Sequence, residues 1–249
     1  MAEQDEGLTI HQSNPFFYSQ DCLLVRSLLR FFFRLLYHQF AITYDLVAAT
    51  VSLGRWKDWV LSVIPFVEGN RVLEIGHGPG HLQRALLERG LTTVGLDESS
   101  QMGRLAKRNL AGFLTRKTGN SHMAFSQTRL TRGLSQSLPF PNESFDTVVS
   151  TFPAEYIFDR RTLAEAQRVL ALNGRFVILP GATILGRGLL DRAMALLFRV
   201  TGQTSPDVSH ILQERTREPF AKAGFHVEVH EVNIRSSLVF ILVATKVAL

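Results

Sequence analysis

The sequence predicts an α/β fold, a doubly wound seven-stranded sheet behind an N-terminal helical cap, and three observations carry that expectation. From Arg71 onward, short apolar runs alternate with amphipathic ones, the pattern of a parallel sheet covered by helices. The first of these runs ends in glycines at 76, 78 and 80, after which a helical pattern begins. Before Arg71 the apolar spacing reads as helix only. The chain of 249 residues, 45% hydrophobic and 20% charged, can bury a full-sized core.

Taken in order, Arg71 to Gly76 reads as the first strand and His81 to Arg89 as its helix. Thr92 to Asp97 is the second strand, followed by a helix to about Leu114. Met123 to Gln127 is a weaker third, and Phe145 to Phe152 a strongly β-prone fourth. Arg161 to Leu172 is helical, with Asn173-Gly174 as its stop. Arg175 to Leu179 is the fifth strand, ended by Pro180-Gly181. Helical stretches over Leu185 to Val200 and Pro206 to Ala223 precede two closing strands, His226 to Val232 and Leu238 to Thr245. The expected division is a cap over residues 1–68 and a main domain over 69–249, with a helical cover inserted at about 182–205.

Inside the cap, Arg26, Arg30, Arg34 and His38 fall at i, i+4 spacing and form one polar stripe. Leucines and phenylalanines fill most of the remaining circumference, roughly twice the ~100° arc that a core-packing helix needs. Such a helix can face two apolar partners. The Leu185–Val200 stretch likewise interleaves Arg187, Arg192 and Arg199 with large apolar residues. Basic amphipathic helices of this kind lie in a membrane interface or pack on each other.

Composition narrows the classes. The lone Cys22 excludes an internal disulfide framework and a cysteine-rich zinc site. No histidine and acid spacing suggests a metal. The apolar stretches are broken by charge short of the ~18 residues a spanning helix needs, and the start is acidic where a signal peptide is basic. These features predict a cytoplasmic protein, soluble or peripherally attached to a membrane. The formal charge is +5, and no acidic residue occurs between Glu98 and Glu143. That interval carries Arg104, Lys107, Arg108, Arg116, Lys117, Arg129 and Arg132, a block that reads either as a solvated face or as a phosphate-attracting one.

The chemistry concentrates in Val72 to Leu82. An apolar strand ends in Glu74, glycines at 76, 78 and 80 let the backbone approach a ligand, and the helix beyond offers free N–H groups. His81 stands where a dinucleotide fingerprint requires its last glycine, which counts against a nicotinamide or flavin enzyme. Asp97 ends the next strand about twenty residues on, where a carboxylate accepts both hydroxyls of a ribose.

With these residues the sequence resembles the class I S-adenosylmethionine-dependent methyltransferases. The resemblance runs from Arg71 to the C-terminus. It rests on Glu74-Ile-Gly-His-Gly-Pro-Gly80, Val94 to Met102, Leu138 to Asp146, Arg168 to Gly174 and Ser237 to Lys246, in that order. It implies the Rossmann-like form of the sheet. It also implies that Glu74 and the backbone of Gly76, Gly78 and Gly80 hold the cofactor's methionine part, with Asp97 on the ribose and Met102 near the adenine. The backbone of Ser135 would cup the adenine, and Thr151 would lie beneath the amino group. Leu134 stands where the family often carries an acid. A looser likeness covers Tyr44 to Trp59, which is similar to the opening segment of methyltransferases of ubiquinone and menaquinone synthesis and of phospholipid N-methylation. There Tyr44 would sit over the cofactor.

Glu155 and Tyr156, beyond the fourth strand, are the candidates for catalysis on the substrate side. The leading expectation is S-adenosylmethionine-dependent methyl transfer to a hydrophobic small molecule, with peripheral membrane contact through the basic amphipathic helices. The alternatives are an RNA methyltransferase using the basic block over residues 99–142, and an inactive scaffold that binds the cofactor.

Overall fold

The computed structural model describes residues 55–118, 129–153, 155–185 and 216–247. The arginine-striped helix, Tyr44, the strand expected over Met123 to Gln127, and the helical cover beyond Leu185 lie outside the described residues.

Seven strands form one sheet in the order β3-β2-β1-β4-β5-β7-β6. They are β1 (Arg71–Ile75), β2 (Thr92–Asp97), β3 (Leu130–Arg132), β4 (Phe145–Thr151), β5 (Leu170–Ile184), β6 (Phe225–Ile234) and β7 (Ser237–Lys246). The first five run parallel, and β7 is antiparallel to both β5 and β6. The described helices are α1 (Trp56–Leu61), α2 (His81–Glu88), α3 (Ser100–Thr118), α4 (Arg160–Val169) and α5 over residues 216–222.

The apolar strand runs are continuous because both faces of the sheet are covered. Their alternation separates two cores. Leu73, Ile75, Val148, Phe176 and Ile178 face Leu163 and Ala166 of α4 and Phe220 of α5. Val72, Val149, Val177 and Leu179 face Trp59 and Val60 of α1 and Leu82 and Leu86 of α2. Residues 55–68, at the end of the segment read as a cap, thus contribute to the second core. Strand order reverses between β1 and β4, so a crevice opens beyond the carboxyl ends of β1, β2 and β4.

Among the described residues the third strand is Leu130–Arg132, where Leu130 pairs with Gly95 and Thr131 with Leu96. Two boundaries differ from expectation, each for a tertiary reason. α4 stops at Val169 rather than Leu172, because Leu170 already pairs with Phe145. Asn173, at φ +61, and Gly174 therefore form an irregularity within β5 rather than a helix stop. β5 also passes through Pro180-Gly181 and continues to Ile184, since the register shift between Ile178 and Gly181 absorbs the proline.

The entry to β1 is tied to β4 by one side chain. Asp146 accepts from the backbone N–H groups of Asn70 and Arg71 at 2.9 Å and from the Arg71 guanidinium, which holds its carboxyl below the usual range. Gly69, at φ +73, lies so close that an added Cβ would fall on the Asp146 side chain. Gly69→Ala is therefore expected to cost about 2–4 kcal/mol in urea unfolding. Gly103→Ala in α3, where a Cβ meets nothing within 4 Å, is the control. It is expected to stabilise by about 0.5–1 kcal/mol.

Candidate functional site at the sheet's switch point

The turn after β1 is built from glycines because it needs left-handed backbone. Gly76, Gly78 and Gly80 have φ of +73, +51 and +86. Gly80 leads directly into α2, with no side-chain cap at its N-cap position, and a helix N-terminus favours a negatively charged group. A Cβ at Gly78 would meet nothing within 4 Å, whereas one at Gly76 would stand 2.8 Å from the Tyr156 hydroxyl. The turn is therefore open at Gly78 and roofed by Tyr156 at Gly76.

Asp97, the last residue of β2, reaches across to this turn. Its Oδ2 accepts from the Gly78 N–H at 3.0 Å and its Oδ1 from the Ser99 N–H at 2.8 Å. A carboxylate has about four lone-pair positions, so both oxygens retain capacity to accept from a ligand. The Gly76 N–H donates to Leu96 O at 2.7 Å, and the Gly133 N–H to Asp97 O at 3.2 Å. The turns after β1 and β3 thus close on the end of β2 from both sides.

Glu74 lies one residue before the end of β1, on the face turned toward α2. It is 2% exposed, yet its Oε2 has no hydrogen-bond partner. Burial pushes the carboxyl up to about 8, opposed by hydrogen bonds from Gln83 and reinforced by the negative charge of Asp97. A buried carboxylate missing a partner beside an open glycine turn suits a cationic group, such as an ammonium, which would restore its charge.

Among the other residues expected at the site, Met102 is buried in the first turn of α3, whose start Ser99 caps from its hydroxyl at 3.3 Å. Ser135 follows β3, buried, with its hydroxyl 2.9 Å from that of Thr162. Its neighbour Leu134 is 51% exposed. Thr151 ends β4, half-buried and paired in register with Leu179. Glu155 opens the short helical turn Glu155–Phe158. The Tyr156 hydroxyl is 3.4 Å from Ser150 Oγ, which itself donates to Ile75 O at 2.8 Å. The structure thus brings Glu74, the glycine turn, Asp97 and Tyr156 together, and places Met102, Ser135 and Thr151 on the elements that flank them.

Two features were not anticipated. Phe152, directly after β4, has φ +49, uncommon for a bulky residue. Its ring stacks on Trp56 of α1 at 4.1 Å, so this aromatic contact couples the N-terminal segment to the end of β4. Nothing local in Thr151-Phe152-Pro153 signals it. The other is His77, which as a residue of the turn reads as plain loop but is 4% exposed. Gly95, in the middle of β2, was the available signal, since a strand glycine marks close approach by another group.

Residues 73–178 match a protein-family model described as a methyltransferase domain. A demethylmenaquinone methyltransferase of Thermotoga maritima is 33% identical over 150 residues, covering 58% of this chain and 59% of that protein. A ubiquinone/menaquinone biosynthesis C-methyltransferase of Geobacter sulfurreducens is 29% identical over 170 residues, covering 66% and 62%. The chain therefore spans less than two thirds of the length of these relatives. Geranyl diphosphate methyltransferase, solved with its substrate and sinefungin, superposes with a TM-score of 0.52 at 16% identity, over 77% of this chain and 78% of that one. A Methanococcus maripaludis protein superposes at 0.55 with 18% identity, over 84% and 93%.

Proposed function

We propose that the chain, whose residues 73–178 match a methyltransferase domain, is a class I S-adenosylmethionine-dependent methyltransferase that transfers a methyl group to a hydrophobic small molecule of quinone or lipid type. The observation that carries the cofactor end is the buried, half-partnered Glu74 carboxylate beside a glycine turn that Asp97 pins from below. In this reading Glu74 and the backbone of Gly76, Gly78 and Gly80 hold the amino-acid end. Asp97 holds the ribose, Met102 and the Ser135 backbone the adenine, and Thr151 lies under the amino group. The resemblance of residues 44–59 would put Tyr44 over the cofactor.

The bound cofactor supplies an electrophilic methyl group on a positively charged sulfur. The protein's share is to hold the acceptor atom in line, about 3–3.5 Å from that carbon, and to keep water out. A base contributes only where the acceptor must lose a proton. Glu155 and Tyr156, just past β4, are the residues we assign to that side. The Tyr156 hydroxyl, against Gly76, is in addition placed to steady the cofactor-holding turn.

Support for an apolar acceptor comes from the Trp56–Phe152 stack at the end of β4 and from the apolar residues that surround the arginine spacing of residues 26–34 in the sequence. The names of the two curated relatives point to quinone-type acceptors. Among the described residues no helix is long and apolar enough to cross a membrane; the membrane contact we propose is a peripheral one, through the basic amphipathic segments of the sequence. One observation favours a second reading, methylation of RNA. Arg104, Lys107, Arg108 and Arg116 are all exposed on α3.

Incubation with methyl-labelled cofactor and whole-cell extract, followed by solvent partition, separates these. Label is expected in the organic phase. Label in nucleic acid would overturn the apolar-acceptor reading in favour of RNA, and cofactor binding with no labelled product in any fraction would favour the scaffold.

A further inference from the structure

We propose that His77 is a positioning residue for cofactor binding, acting through the carbonyl of Gly78; the proposal rests on the cofactor reading above. The His77 ring is buried at the end of β2. Its Nδ1 lies 2.8 Å from Gly78 O, and because a carbonyl only accepts, Nδ1 is the donor. The other polar group of Gly78, its N–H, donates to Asp97 Oδ2 at 3.0 Å. Gly78 is followed by Pro79, which has no N–H, so the peptide linking them has only its carbonyl to fix its plane. The imidazole therefore holds one side of Gly78 and the ribose-binding candidate holds the other.

The ring is held in place by what β2 omits. At Gly95 a Cβ would stand 2.9 Å from Cδ2 of His77 and 2.8 Å from Cδ2 of Leu130. Any side chain there forces His77 out of its seat. Backbone bonds complete the hold. The His77 N–H approaches Leu96 O at 3.4 Å, and His77 O accepts from the Gly80 N–H at 3.0 Å. Burial lowers the pKa of the imidazole, in keeping with a neutral ring whose Nδ1 carries the proton. The Gly78 N–H and carbonyl lie in successive peptide planes that meet at its Cα, so Asp97 fixes one plane and His77 the other, and without the imidazole the plane next to the proposed ribose acceptor is free to rotate. His77 thus makes Asp97 and the open face of Gly78 a single rigid surface.

The test compares two variants in calorimetric binding of S-adenosylhomocysteine, with thermal unfolding of each free protein. His77→Phe fills the seat without a donor. His77→Asn keeps an N–H donor near Nδ1 in a smaller side chain. His77→Phe is expected to bind about tenfold more weakly, while His77→Asn stays within about threefold of wild type despite its larger packing defect. Equal binding by both variants and wild type, or losses that simply track each variant's loss of thermal stability, would overturn the proposal. A readout that needs no variant is the nitrogen chemical shifts of His77 in the intact protein. They are expected to report a proton on Nδ1 and none on Nε2, with and without ligand, and the opposite tautomer would refute the bond. Wild type that fails to bind S-adenosylhomocysteine at all would instead remove the cofactor reading itself.

Discussion

Replacing Glu74 by glutamine is expected to weaken S-adenosylhomocysteine binding by about ten- to a hundredfold, the range for losing a charge-assisted bond. The pH behaviour makes the result specific. In the free protein the Glu74 carboxyl is raised from 4.5 to about 8 by burial, so at neutral pH it is mostly protonated. A ligand ammonium favours the ionised form, so binding releases a proton and wild-type affinity climbs as pH rises from about 6 toward 8. The glutamine variant lacks this climb, and calorimetry in buffers of different ionisation enthalpy reports the proton directly.

The same group sets a stability trend of opposite sign. Between the unfolded value of 4.5 and the folded value of about 8, the folded protein binds more protons than the unfolded chain. Stability contributed by Glu74 is therefore full below the unfolded value and is lost as pH rises through the folded one. The glutamine variant, with no charge to bury, is expected to melt at a higher temperature than ligand-free wild type near pH 8, while binding ligand less well. A variant that lost both stability and affinity at every pH would show Glu74 to be a packing residue.

Asp97→Ala carries the other large effect. The substitution removes the acceptor proposed for the ribose and also strands the N–H groups of Gly78 and Ser99, which the carboxylate holds at 3.0 and 2.8 Å. Two charge-assisted bonds to a ligand make the expected loss of affinity more than about a hundredfold. Asp97→Asn retains one acceptor oxygen and is expected to lose about tenfold. Both variants should still fold, because Asp97 is half-buried at a strand end rather than part of either core. Wild-type binding by Asp97→Ala would separate this residue from the ligand.

Most of the sheet was legible because its strands are near-continuous apolar runs, from Arg71–Ile75 to Ser237–Lys246, broken by glycine and polar turns. The glycine turn and Asp97 were legible for a different reason, the fixed spacing that a strand–turn–helix unit imposes. Leu170–Gly174 was not. Locally it continues a helix, and only pairing of Leu170 with Phe145 across the sheet converts it to strand. His77 and Phe152 were hidden for the same cause. A histidine in a turn and a phenylalanine after a strand carry no sign of the Gly95 seat or of the Trp56 ring that receive them.

The central claim is that the crevice beyond β1, β2 and β4 is a site for S-adenosylmethionine. Calorimetric titration of the full chain with S-adenosylhomocysteine, with nicotinamide dinucleotide in parallel, tests it most directly. The account predicts saturable one-to-one binding of S-adenosylhomocysteine, lost in Asp97→Ala, and no heat from the dinucleotide. Binding of the dinucleotide instead, or S-adenosylhomocysteine binding that survives intact in Asp97→Ala, would contradict it.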